Sequence, residues 1–104
     1  MSGETDQVLA DVARKRLRQI EFHGWTREHD DAHVHGEVAI AAIPYVQAAS
    51  PESLGLSRED LEVFWPWDSE FKPDTDRREN LVNAAALIVA EIERLDRLKA
   101  RGGT

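Results

Sequence analysis

Residues 81–98 read LVNAAALIVAEIERLDRL, and the fold follows from how this stretch is placed. Leu81, Ala85, Ile88, Ile92 and Leu95 recur at steps of four and three, so they share one face of an α-helix. Val82, Leu87 and Val89 widen the apolar surface of the first half until it is apolar nearly all round. Such a helix belongs inside a bundle. Beyond Ala90, Glu91, Glu93, Arg94, Asp96 and Arg97 fill the other sides, and Glu93 with Arg97 forms an i,i+4 pair of ~0.3 kcal/mol. Asp74, Thr75 and Asp76 are possible N-caps and Gly102-Gly103 is a stop, which places a helix near 76–101, ~39 Å long. The rest of the chain has to cover this rod.

Two further helical stripes are legible. Val8, Leu9, Val12, Ala13, Leu17 and Ile20 define a first helix near 7–23, stopped by Gly24, with Arg14, Lys15, Arg16 and Arg18 as a solvated basic face. Val34, Val38, Ala41, Ala42, Tyr45, Val46 and Ala49 define a second helix near 32–49, bent at Pro44 with the proline on its outer side. Residues 24–32 between them read as a polar connection anchored by Trp25. Residues 50–73 hold Pro51, Gly55, Pro66 and Pro73, and Ser57 to Asp60 resembles a capping box that opens a short helix ending near Phe64. No β pattern appears. The expectation is an all-α fold of three main helices, the C-terminal one long and central, with an aromatic, proline-containing loop and short helix covering the bundle. One domain is expected, with flexible ends at 1–5 and 102–104.

Bulk composition narrows the function classes. A chain of 104 residues, 41% hydrophobic and 32% charged, is the size of a single core, and no run of eighteen apolar residues spans a membrane. The start, MSGETDQVLADVARKR, lacks the order of a secretion signal, and cysteine is absent, as suits a cytoplasmic protein. A net charge of −7 opposes general nucleic-acid binding, which needs clustered Lys and Arg on phosphates.

Three constellations carry possible chemistry. Glu28, His29, Asp30, Asp31, His33, His35 and Glu37 place His29/His33 and His33/Glu37 at i,i+4, a spacing that suits a divalent metal and also ordinary helix capping. Asn83 lies inside the apolar run one turn after Glu79, either as an interhelical hydrogen bond or as a ligand group facing Glu37. Trp65 and Trp67, followed by Arg77 and Arg78, offer stacking and a guanidinium for phosphate, or else a hydrophobic plug over Val82, Leu87 and Val89. No nucleophile with a base, phosphate loop or paired catalytic carboxylates stands out.

With these residues the chain resembles a family of small uncharacterised phage and prophage proteins. The resemblance runs through Arg16 to Ile20, Gly24-Trp25-Thr26, Glu28 to Asp31, His33, Gly36-Glu37, Trp65-Pro66-Trp67, Lys72-Pro73, Arg77-Arg78 and the C-terminal helix. It implies a phage setting in a bacterial host cell and no particular activity. A fainter similarity runs to the all-α MazG-like nucleotide pyrophosphohydrolases, through the Arg-Gln of the first helix, Gly36-Glu37 and the Ala-rich third helix. That similarity implies a magnesium site on paired carboxylates, for which this chain offers Glu37, Glu79 and His33, with Val38 and Ala41 where further acids would stand. The leading expectation is a protein without a cofactor that acts by binding a host protein, as an inhibitor or anti-defence factor, or by sequestering a nucleotide-like ligand. Trp65, Trp67, Arg77, Arg78 and Asn83 are its binding residues. The alternative is a reduced, magnesium-dependent pyrophosphohydrolase. A homodimer through the C-terminal helix is expected in either case.

Overall fold

The computed structural model describes residues 3–67 and 70–102, apart from the side chains of Ser53 and Leu54. Within these residues the chain is helical with no strand. Helix α1 is Glu4–His23, α2 Arg27–Ala32, α3 Glu37–Ile40, α4 Ala42–Ala49, α5 Pro51–Leu54, α6 Arg58–Phe64 and α7 Arg77–Ala100. The all-α architecture around a long C-terminal helix is therefore present, with α1, α4 and α7 as its main members. No described helix is long and apolar enough to cross a membrane. The ends expected to be flexible lie partly outside the described residues, at 1–2 and 103–104.

Local chemistry sets most of the boundaries. Gly24, at φ 70°, closes α1 in the left-handed conformation that glycine adopts without a Cβ clash. Thr26 then opens α2, its Oγ1 accepting the His29 N–H at 3.2 Å, so a segment that read as a plain connection forms a helical turn and a half. Ser57 and Asp60 form the reciprocal capping box of α6, at 3.1 and 3.0 Å. Asp76 caps α7 through the Arg78 N–H at 3.0 Å.

The single bent helix expected at 32–49 is broken instead. Gly36 enters α3 at φ 81°, and Ala41 separates α3 from α4. Pro44 has no N–H to offer the carbonyl of Ile40 four residues back, which accounts for an interruption at that turn. Its ring is fully buried in the core, not on an outer curve.

The core gathers on the small-residue side of α7. Ala84, Leu87 and Ala90 pack with Trp25, Val38, Ala41, Ala42 and Tyr45, while Val82 and Ala86 pack with Val12 of α1. Alanine on both α4 and α7 permits close helix approach. The bulkier stripe that read as the core face points outward, with Leu81, Ile88, Ile92 and Leu95 each 45–53% exposed. Val82 is covered by α1, and Trp65 and Trp67 pack, half-buried, on the Leu87 cluster.

Charge lies inside this small core. Arg16, expected on a solvated face, is 5% exposed, and Asp30 is 1% exposed. Glu91 and Arg94 are also buried, joined at 2.6 and 3.2 Å. Their neighbour Asp31 takes Arg97 at 2.9 Å. The Arg16–Asp30 and Arg97–Asp31 pairs fasten α2 onto α1 and α7.

Candidate functional site

Where α6 ends, Trp65 turns to extended backbone. The side chains of Trp65, Trp67 and Phe71 meet the core aromatics ring against ring. Trp67 stacks on Trp25 at 4.4 Å between centroids and 13° between planes. Trp65 meets Trp25, Tyr45 and Trp67 edge to face at 6.0, 5.9 and 4.7 Å. Phe71 closes the group, 4.9 Å from both Tyr45 and Trp65. Offset and edge-to-face pairs of this kind add ~0.5–1.5 kcal/mol each beyond the area they bury. Burial pushes the Tyr45 phenol up to about 12, so it stays neutral at physiological pH.

A chain of polar contacts fixes Trp67. Its indole Nε1–H donates to His29 Nε2 at 2.6 Å. Indole nitrogen is a donor only, so Nε2 must be the bare acceptor and the ring proton sits on Nδ1. That proton points to Asp30 Oδ1 at 3.2 Å. The other Asp30 oxygen accepts from Arg16 Nη2 at 2.6 Å, and Arg16 Nη1 donates to the Trp25 carbonyl at 2.9 Å. Arg16 Nε reaches Glu93 at 3.2 Å. One buried guanidinium thus holds both the backbone of Trp25 and, through Asp30 and His29, the ring stacked on Trp25. Because its Nε2 is occupied, His29 is a positioning group in this arrangement and not a base free to act on a ligand.

Beside the cluster lies a cleft of about 710 Å3 lined by Arg58, Leu61, Glu62, Trp65, Trp67, Glu70, Phe71 and Pro73. Its walls are aromatic and aliphatic. Among the described residues its charged groups are Glu62 and an exposed Arg58–Glu70 pair at 3.1 Å. An apolar wall with a few polar groups is the usual form of a binding pocket. With two carboxylates against one already paired guanidinium, the charge on this one favours a neutral or cationic guest over phosphate.

The other residues singled out from sequence are dispersed. Arg78 pairs with Asp11 at 2.6 Å and holds that carboxyl below the usual range, and Arg14 bonds the same carboxylate. Arg77 lines a separate hollow of about 310 Å3 with Ala48, Pro51 and Thr75. Asn83 bonds the Glu79 carbonyl of its own helix at 3.0 Å, and its own carbonyl takes Gln19 Nε2 at 3.3 Å. Glu79 pairs with Lys15 at 3.0 Å. Glu37 accepts the His35 N–H at 2.6 Å, and His33 Nδ1 bonds the His29 carbonyl at 2.7 Å. His33, Glu37 and Glu79 thus have different partners, and among the described residues no three His, Asp or Glu side chains form a group that could hold a metal ion. The two indoles share one cleft, without Arg77, Arg78 or Asn83 in its wall.

Arg16, Asp30 and His29 are the positioning residues that sequence reading passed over as a set. One signal was available: Arg16 falls on the Val12–Gln19 line of α1, the line that faces α7. Comparison with protein-family models, with curated proteins and with solved structures finds no match to this chain.

Proposed function

We propose that this protein acts by binding, and that its cleft between α6 and the side chains of Trp65, Trp67 and Phe71 receives an apolar or aromatic side chain of a protein partner. The observation behind this is the cleft itself, with two half-buried indoles and Phe71 turned to an opening of about 710 Å3. Exposed aromatic surface held rigidly is what interface anchors require, since little rotamer freedom is lost on binding. The acidic rim and the net charge of −7 suit a partner with a basic surface around the inserted group. In the phage setting that the sequence resemblance implies, the partner is a host protein and the chain an accessory or anti-defence factor. Sequestration of a nucleotide is the weaker form of the proposal, because Arg77 and Arg78 lie away from the indoles.

The test uses tagged protein and host lysate, alongside thermal melting with nucleotides and magnesium. Leu61→Arg places a cation in the cleft wall at a half-buried position and should leave the fold intact. The proposal expects a partner retained by the parent and by Arg77→Ala but lost with Leu61→Arg. Stabilisation by a nucleoside triphosphate with magnesium, abolished by Glu37→Ala, would favour the pyrophosphohydrolase instead.

A further inference from the structure

A further hollow, of about 210 Å3, lies between α1, α4, α7 and the segment that precedes α7. Lys15, Arg18, Gln19, Phe22 and His23 border it from one face of α1, since residues three and four apart are neighbours on a helix. Tyr45, Asn83, Lys72 and Asp74 stand on the other sides. Gln19 is 1% exposed, and its Nε2 donates to the Asn83 carbonyl across the α1–α7 seam at 3.3 Å. That bond settles which end of the carboxamide is which, because the reversed amide would set two acceptor oxygens together. Oε1 is therefore an acceptor, and among the described residues it is the buried side-chain polar atom without a hydrogen-bond partner. A buried acceptor with no donor is costly, and one at the edge of a hollow can be met from outside the chain.

Charge here runs against that of the whole chain, which is −7: Lys15, Arg18 and Lys72 border the hollow with Asp74 as the carboxylate. Lys15 is already bound to Glu79 at 3.0 Å. Arg18 lies 4.7 Å over the exposed Phe22 ring and Lys72 is exposed, and neither makes an ion pair among the described residues. Asp74, whose Oδ1 accepts the Asp76 N–H at 2.7 Å, balances one of these two cations. The positive charge left over suits a monoanion better than a phosphate dianion. We propose that this hollow binds a small carboxylate that also carries a hydrogen-bond donor, the donor on Gln19 Oε1 and the carboxylate at Arg18 and Lys72. At ~30 Å3 each, about seven waters fill the space, so the guest is the size of an amino acid and not of a peptide or nucleotide. Pro73 borders both this hollow and the aromatic cleft, with no other residue in common, so occupancy here does not require a partner there.

The test is an NMR titration of the isotope-labelled full chain with four probes at constant ionic strength. N-acetylglycinate carries both groups, N-acetylsarcosinate has its N–H replaced by methyl, acetate is the anion alone and acetamide the donor alone. N-acetylglycinate should shift the Gln19 side-chain amide signals and bind about tenfold tighter than each of the others, the factor that one hydrogen bond supplies. Lys72→Ala and Arg18→Ala alter exposed side chains, so each should stay folded and weaken N-acetylglycinate about tenfold. Gln19→Met should erase the preference for N-acetylglycinate over N-acetylsarcosinate. If that variant does not fold, the parent's discrimination between these two probes tests the same bond. Gln19 signals that stay still up to ~50 mM N-acetylglycinate overturn the proposal, as does equal binding of the two acetylated probes or tighter binding of inorganic phosphate.

Discussion

Replacing Asp30 by Ala strikes the tie that joins α1, α2 and the aromatic cluster. Asp30 is 1% exposed and its carboxylate bonds both Arg16, 5% exposed, and His29. The substitution leaves a buried guanidinium with the Trp25 carbonyl and a longer contact to Glu93. Removing one partner of a buried pair costs ~3–5 kcal/mol, because the remaining charge is desolvated without compensation. His29 also loses the acceptor that sets its tautomer, which loosens Trp67. Against a total stability of ~5–15 kcal/mol the variant should be close to unfolding, with its melting point lower by at least ~12 °C. Denaturant titration of Asp30→Ala, Arg16→Met and the double variant measures the coupling. The double variant should be more stable than Asp30→Ala, because it leaves no lone buried charge, yet below the parent, since the Trp25 carbonyl loses its donor at ~1–3 kcal/mol. A loss under ~1 kcal/mol for Asp30→Ala, or strictly additive losses, would refute the reasoning.

Further outcomes follow from single features. Trp67→Phe keeps the ring stack but removes the donor to His29, and should cost ~1 kcal/mol by thermal melting, with His29 ring signals shifting in NMR spectra. Gly36→Ala should cost ~1–2 kcal/mol from its φ of 81° alone, since the new Cβ would lie 3.9 Å from Glu91 Oε2, an ordinary contact. The Arg97 hydrogen bond holds the Asp31 carboxyl below its usual 3.8, so its contribution is complete above that value and is lost as pH falls through the lower folded value. Acid titration of Asp31→Asn should therefore show a shallower loss of stability below about pH 4 than the parent.

Periodicity located the helices better than it oriented them. The limits of α7 followed from Asp76 and the glycines at 102–103, and α1 from Gly24, because caps are local chemistry. Orientation is not local. On α7 the large Leu and Ile residues looked like the core face, but the alanine face lets Tyr45 and the alanines of α4 approach closely, and the large residues were left outside. Residues 24–32 read as a connection because their helix is short and polar and is held by burial of Asp30 against Arg16, a contact between two elements. The Trp65–Trp67 pair was legible as two aromatics that come together. Its partners were not, because Trp25 and His29 come from a segment about forty residues away. Arg77 and Arg78 follow the indoles closely in sequence, yet they belong to the first turn of α7, where Arg77 lines another hollow and Arg78 pairs with Asp11.

All three tryptophans, Trp25, Trp65 and Trp67, sit in the one cluster beside the cleft, so intrinsic fluorescence reads the proposed binding site with no competing signal. The most direct test is acrylamide quenching of that emission, free and with the partner retained from lysate at saturating concentration, using a tryptophan-free fragment of the partner. The account predicts that quenching of the half-buried Trp65 and Trp67 falls severalfold in the complex and that Leu61→Arg abolishes the change. A complex that forms with unchanged quenching would place the partner elsewhere and contradict the account.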